Sequence, residues 1–477
     1  MRQYFLGNHR YLSYVGVLSL FLVIFVEIMY ASPYAATWDQ VDFALALDRY
    51  DLLAMQPHFP GYPYFIVGGM IVHPFVANPA KALAIFNVLL LTSANVPLFL
   101  LARKYGKEET AWLVVAFVQS ASYVMLIVSA PMSEGAALAV LWWYVWAIEW
   151  VRERPTFWRH VLPLFFLGIL LGIRLSYLPF AVALFFLWYN DWKQYRQWRR
   201  IALFALIALS FQLVWVIAVA STEGSIASFL KLAFSFTNGH FQDWGGTVSS
   251  DTMPFWQRTI HFFAYNIFWV GMASQSVVLL VAIGWMFLAS DRSNRMSRTF
   301  LLTMVAYLFW ALVAQNIDKP RHILPLAQGA LFYGAIHYLA RNNSLRRRLF
   351  ISGTIIVQLL VGTFHLREAQ QLPATYQLAD DLQKAKESFI VYTWEEARVF
   401  DYLHVAFPYQ EALHFSFFQQ HRANYQHTKI YLTDHVVQGF RAQGVPIDGH
   451  LRKIKTYHSS TLADPVYGNI TLYEWID

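Results

Sequence analysis

Tyr64-Phe65-Ile66-Val67-Gly68-Gly69-Met70-Ile71-Val72-His73-Pro74-Phe75-Val76-Ala77 is a predominantly apolar run that stops after 14 residues. A helix needs about 20 residues to cross a bilayer, and this run is broken further by a Gly-Gly pair and an internal His-Pro. It is expected to dip into the membrane or lie at its surface. Immediately before it stands Gln56-Pro57-His58-Phe59-Pro60-Gly61-Tyr62-Pro63, with prolines at a spacing of three. Before that comes Trp38-Asp39-Gln40-Val41-Asp42-Phe43, two carboxylates just beyond the first long apolar run, Tyr11 to Tyr30.

The short run decides the topology because the remaining apolar runs are regular. They fall at about 82–102, 111–129, 135–151, 161–173, 176–190, 201–220, 261–289, 299–315, 322–340 and 348–366. Of the 477 residues, 57% are hydrophobic, 18% aromatic and 14% charged, the composition of an integral membrane protein. The first run lacks a small-residue cleavage site and reads as a retained helix. Cysteine is absent, which excludes disulfides, thiol nucleophiles and thiolate-bound metals. Segments between alternate runs hold 19 Lys and Arg, among them Arg103, Lys104, Arg152, Arg292, Arg295 and Arg346, against seven in the intervening segments. Basic residues mark the cytoplasmic side. The bias is consistent only if residues 64–77 do not cross, leaving 11 crossings, a cytoplasmic N-terminus and a C-terminal tail outside. The net charge of +7 then reflects topology, and no nucleic-acid partner is expected.

Residues 1–369 are read as the transmembrane domain, with its first outer loop at 31–63, and 370–477 as a soluble α/β outer domain. In the latter, strand-like stretches at 388–394, 428–433, 451–457 and 469–476 alternate with helical ones near 396–405 and 436–443. Thr393 and Glu396 have the spacing of a capping box. The tail has no Gly-rich phosphate loop and no nucleophile elbow.

The topology gathers several chemically capable side chains outside. Asp39 and Asp42, three apart, share a helical face. One could serve as general base while the other orients a hydroxyl. They could equally cap and solvate a short juxtamembrane helix. His58, in a stretch favouring polyproline-like backbone, could contact phosphate or sugar, or simply sit at the interface. Arg174 stands at a tight corner between two short runs, costly if buried and otherwise snorkelling. Glu134, after Pro131-Met132-Ser133, opens a helix, and His240, Asp243 and Trp244 lie in the long loop 221–260. Asp318-Lys319-Pro320-Arg321-His322 precedes a helix whose N-terminus favours phosphate. The alternative there is a headgroup anchor.

The residues Trp38-Asp39-Gln40-Val41-Asp42-Phe43 and Pro57-His58-Phe59-Pro60-Gly61-Tyr62-Pro63 resemble the first outer loop of GT-C fold glycosyltransferases, in particular bacterial relatives of protein O-mannosyltransferases and lipid A aminoarabinose transferases. Ser133-Glu134 and Lys319-Pro320-Arg321-His322-Ile323-Leu324-Pro325 are similar to later outer corners of that family. The sequence departs from it at Phe59, where a second proline is usual, and at Gln40, where an acid often follows the aspartate. The resemblance implies inverting transfer of a sugar from a polyprenyl-phosphate donor to a lipid, polysaccharide or protein hydroxyl outside the cytoplasm. Asp39 would be the base, with Asp42 and His58 orienting substrates, Arg321, His322 and Arg174 handling the phosphate, and Glu134 and Lys319 as further substrate-binding residues. It implies no obligatory cofactor. A divalent cation has no acidic pair beside Asp39 to support it. A rival reading is a transporter or lipid flippase using the same face as a substrate path, and a third is a scaffold whose outer domain recruits a partner.

Overall fold

A computed structural model describes residues 10–251, 253–290, 296–341, 344–425 and 427–476. Arg2, Arg292 and Arg295, part of the charge bias above, lie outside them. The chain is mostly helical to Gln383 and ends in a small mixed sheet. Among the described residues, four helices are long and apolar enough to cross a bilayer: Pro79–Tyr105, Trp198–Thr222, Pro320–Ala340 and Leu345–Gln383. The number becomes six if each of two bent pairs is one span.

Those pairs correct two runs expected to be continuous. Glu108–Gln119 and Ser122–Val128 meet at 61°. The side chains at the break bind a neighbouring helix, Ser120 Oγ donating to Gln358 Oε1 at 2.8 Å and Ser122 Oγ to the Gln358 carbonyl at 2.7 Å. Phe255–Met272 and Val277–Leu288 meet at 105°, because Ser274 and Gln275 adopt positive φ, 48° and 60°, which ends the first helix. The long loop 221–260 also contains a helix, Ile226–Gly239.

The short run forms a helix of 10 residues, Pro63–Val72, and a single tight turn, His73–Phe75. At 1.5 Å per residue the helix is about 15 Å long, half the hydrocarbon thickness. Val67, Ile71 and Phe75 are exposed along one side. On the other, Gly68 and Gly69 lie against Phe86 and Leu83 of the helix Pro79–Ser93, so close that an added Cβ would sit 2.1 and 2.5 Å from those side chains.

The loop 31–63 contains the helix Trp38–Leu45. Thr37 caps it, accepting from Gln40 N, while Gln40 Oε1 reaches back to Ala36 N at 2.8 Å. The proline segment is not an extended polyproline run. The Gln56–Pro57 and Phe59–Pro60 bonds are cis, and Gly61 N closes a turn on the His58 carbonyl at 3.0 Å. Gly61 has φ 95°, and a Cβ there would lie 2.3 Å from the Tyr50 hydroxyl, which itself donates to the Gly61 carbonyl.

A fully buried arginine organises the C-terminal end of the helix Arg298–Ala314. Arg258 donates through Nε to the Leu312 carbonyl at 2.7 Å, through Nη1 to Asp251 at 2.8 Å, and through Nη2 to the carbonyls of Gly246 and Gln315 at 3.0 and 2.5 Å.

The sheet has five strands, β1 (Phe389–Thr393), β2 (Tyr409–Glu411), β3 (Lys429–Thr433), β4 (Leu451–His458) and β5 (Asn469–Trp475), in the order β2-β1-β3-β5-β4. β1 pairs in parallel with β2 and β3, while β5 runs antiparallel to β3 and β4. The interior strand β1 is buried throughout, its alternate side chains feeding two separate cores. Phe389 and Val391 join Leu378 and Phe400, whereas Ile390 and Tyr392 join Phe418 and Phe440. That is the pattern of a strand covered on both faces. The strand β2 and the helix Phe415–Arg422 were not anticipated, being three and eight residues long without clear periodicity.

Glu396 does receive Thr393 Oγ1 at 2.9 Å, but it also accepts from Trp394 N and pairs through Oε1 with His435 Nδ1 at 2.6 Å. Glu396, Asp434 and His435 lie within metal-ligating reach of one another. Both imidazole nitrogens of His435 are committed to acceptors, Glu396 and the Val466 carbonyl, so the ring is held as imidazolium. Burial opposes the charge, but Glu396 and Asp434 outweigh it and raise the His435 pKa from 6.5 to about 9. A raised histidine pKa stabilises the fold fully below its unfolded value and ceases to as pH rises through the folded value. The expected result is an unfolding midpoint that falls between pH 6.5 and 9.5 by the equivalent of roughly 2–3 kcal/mol. Thermal unfolding of the whole protein checks this against His435→Asn, whose midpoint is expected to lack that component.

The sheet-bearing part rests on the membrane helices through specific contacts. Tyr376 Oη meets the backbone of Ala35 at 3.2 Å, Gln370 Nε2 donates to the Tyr30 carbonyl at 2.7 Å, and Leu462, between β4 and β5, is buried in the helical core.

Candidate active site

A cavity of about 310 Å³ lies between the loop 31–63, the corner at Arg174, residues 236–245 and the turn 315–322. Asp39, His58, Arg174, Lys319, Arg321 and His322 line it, and Phe43, Leu178, Phe236, Phe241 and Trp310 supply apolar walls.

Each polar group arrives by a local device. Asp39 lies in the first turn of the helix Trp38–Leu45, where the helix dipole favours a carboxylate. Arg174 is the extended residue between the helix Phe157–Ile173 and the 3-10 turn Leu175–Ala181, with φ −155°. Arg321 and His322 occupy the 3-10 turn Pro320–Ile323, directly before the helix Leu324–Arg341. Glu134 opens the helix Glu134–Glu153 and is fully buried.

The charges interlock. Arg321 Nη2 donates to Asp39 Oδ2 at 2.6 Å, and its Nε lies 2.8 Å from Glu134 Oε1. Arg174 Nη2 lies 3.1 Å from the same oxygen and 3.0 Å from His322 Nδ1, while Nη1 donates to Ser133 Oγ at 2.8 Å. The contacts to Glu134 are ionic and poorly aligned. Neither Glu134 oxygen has a hydrogen-bond partner, and neither does Nε of Arg174 or Arg321. Lys319 lines the cavity without an ion-pair partner among the described residues. Three cations thus line the cavity beside Asp39, two of them also in contact with the buried Glu134. Tyr307 Oη donates to the His322 carbonyl at 2.8 Å and fixes the turn.

Burial would raise the Asp39 pKa, but Lys319 and Arg321, helped by His58 and Arg174, hold the carboxyl well below the usual range. Asp42 differs. Burial raises its pKa despite the opposing effect of His58 and Arg398. It does not line the cavity and is wholly buried behind His58, whose Nδ1 lies 2.9 Å from Asp42 Oδ2. With Asp42 ionised, that nitrogen carries the proton and Nε2 faces the Tyr62 hydroxyl at 3.0 Å. The two aspartates therefore share a helix but serve different partners.

Of the loop residues named from the sequence, His240 lines the cavity and bonds the Ala314 carbonyl at 2.9 Å. Asp243 is exposed, and the side chain of Trp244 lies outside the described residues. Sequence reasoning missed Tyr62, Phe236, Trp310 and Arg398. The aromatic residues are inconspicuous in a chain that is 18% aromatic, and Arg398 stands 356 residues from the aspartate it binds.

No family model matches the chain, and no curated protein matches it. Among solved structures, its fold is similar to that of ArnT from Cupriavidus metallidurans bound to undecaprenyl phosphate. The TM-score is 0.52 over 96% of this chain and 97% of that one, at 11% identity. The apo state of the same protein aligns over the same shares at 12% identity, with a TM-score of 0.45. The likeness is one of fold, and it bears out the GT-C resemblance at that level.

Proposed function

We propose that the protein is a polyprenyl-phosphate-dependent glycosyltransferase, moving a hexosyl or pentosyl unit to an acceptor hydroxyl on the outer face of the membrane. The observation that carries this reading is a cavity combining a carboxylate, two arginines, a lysine that makes no ion pair among the described residues, and apolar walls. Undecaprenyl phosphate in the structurally similar ArnT supports the choice of donor. The charge bias supports 11 crossings with residues 64–77 not among them, a cytoplasmic N-terminus, and residues 370–477 as an outer domain.

In this mechanism the donor phosphate meets Arg321, Arg174 and Lys319, and its charge relieves Asp39 of part of their field. A carboxylate held far below its ordinary pKa is a weak base; donor binding restores its proton affinity when it is needed. Asp39 takes the acceptor proton as the hydroxyl oxygen bonds to the anomeric carbon. The bond from that carbon to the phosphate oxygen breaks, and the cations stabilise the leaving polyprenyl phosphate. His58, held by Asp42, lines the wall and orients the sugar.

The test offers purified protein a panel of polyprenyl-phosphate hexoses and pentoses with acceptor lipid or polysaccharide, in detergent, without any gradient. Release of polyprenyl phosphate that requires acceptor is the expected result. A transporter or flippase would show none.

A further inference from the structure

Asp42 is a carboxylate with no exposure, pressed against the wall of the cavity. A buried acid of this kind is costly unless paired. Among the described residues the membrane part supplies only His58, on Oδ2. The cation comes from the sheet-bearing part, where Arg398, on the helix Glu396–Leu403, donates through Nε to Asp42 Oδ1 at 2.9 Å. The same guanidinium donates through Nη2 to the carbonyls of Ala54 and Met55 at 3.1 and 2.9 Å. Met55 has φ 57°, a left-handed conformation that a methionine seldom adopts, so the arginine holds the loop at a strained residue. Its guanidinium carbon also lies 5.8 Å from the centre of the Trp38 ring, beside Asp39.

These contacts form one chain of hydrogen bonds: Arg398 to Asp42, Asp42 to His58, and His58 to Tyr62 at 3.0 Å, the last two side chains lining the cavity. A domain that was merely tethered would need only surface contacts. Here it delivers the counter-charge of a fully buried acid and fixes three points of the first outer loop. We infer that Arg398 is a positioning residue for the transfer reaction, through which the outer domain sets the orientation of His58 in the cavity wall. The inference rests on the transferase reading above for its catalytic consequence, but its structural half does not.

Two measurements separate the two. The first is the rate at which diethyl pyrocarbonate modifies His58, followed by peptide mass spectrometry on whole protein in detergent. In Arg398→Ala, His58 is expected to react several-fold faster while His450 and other accessible histidines keep their rates. An unchanged His58 rate, or a uniform rise at all histidines, overturns the inference. The second is steady-state transfer with whichever donor of the panel the wild type turns over. The kcat of Arg398→Ala is expected to fall about tenfold or more, with KM within about twofold, as for a misplaced reacting group. A raised KM with wild-type kcat overturns the catalytic role. Should the wild type turn over no donor, the transferase reading fails, and the labelling result alone decides the link. If Arg398→Ala does not fold, Arg398→Lys, which keeps the charge but loses the forked grip on two carbonyls, is expected to show smaller changes of the same kind. Wild-type labelling of His58 in that variant overturns the inference.

Discussion

Asp39→Asn protein is expected to fold and bind undecaprenyl phosphate as the wild type does, and to transfer sugar about 10³-fold more slowly. The amide keeps the shape of the side chain, and its oxygen still accepts from Arg321, whose Nη2 lies 2.6 Å from Asp39 Oδ2 in the native site. Only the base and one negative charge are lost. The KM for the donor is expected to stay level while kcat drops, the signature of an interaction made in the transition state. Steady-state kinetics on both substrates checks the split. Full activity in a stably produced variant would remove Asp39 from the mechanism.

The second large effect concerns Glu134. It is fully buried, with Arg174 Nη2 and Arg321 Nε at 3.1 and 2.8 Å from the same oxygen. Glu134→Gln leaves two guanidinium groups facing each other with half their compensation gone. Breaking a buried ionic group from one side costs about 3–5 kcal/mol, and the unfolding midpoint without ligand is expected to drop accordingly. A ligand that binds only the folded state stabilises it in proportion to affinity, and the uncompensated arginines attract a phosphate more strongly. Undecaprenyl phosphate is therefore expected to raise the midpoint of Glu134→Gln by more than it raises that of the wild type. Thermal unfolding with and without the lipid decides the matter. Equal midpoints and equal shifts would mean that Glu134 only opens its helix.

The membrane class and the GT-C fold were legible in the sequence because both rest on signals written along the chain: apolar length, alternating basic loops and the proline segment. Continuity of helices was not. The breaks at Ser120 and at Ser274-Gln275 depend on a side chain of another helix and on two left-handed residues, neither of which changes local hydropathy. The candidate site was legible in its polar members, since Asp39, Glu134, Arg174 and Arg321 are conspicuous in apolar surroundings. How they pair was not. Spacing put Asp39 and Asp42 on one helical face, but helix geometry says nothing of the tertiary neighbours that give one to Arg321 and the other to His58 and Arg398. Such a pairing between residues 42 and 398 leaves no trace in a single sequence.

Arg258 has a consequence for the shape of the cavity. A buried guanidinium that spends its donors on Leu312, Asp251, Gly246 and Gln315 cannot release one strand of the loop without stranding charge in an apolar surround, a cost of several kcal/mol. Residues 245–251 and the end of the helix Arg298–Ala314 consequently behave as a single masonry block. The outline of the cavity on that side is thus fixed, and reshaping it calls for recutting side chains such as Gln315 and Trp310 instead of loosening a hinge.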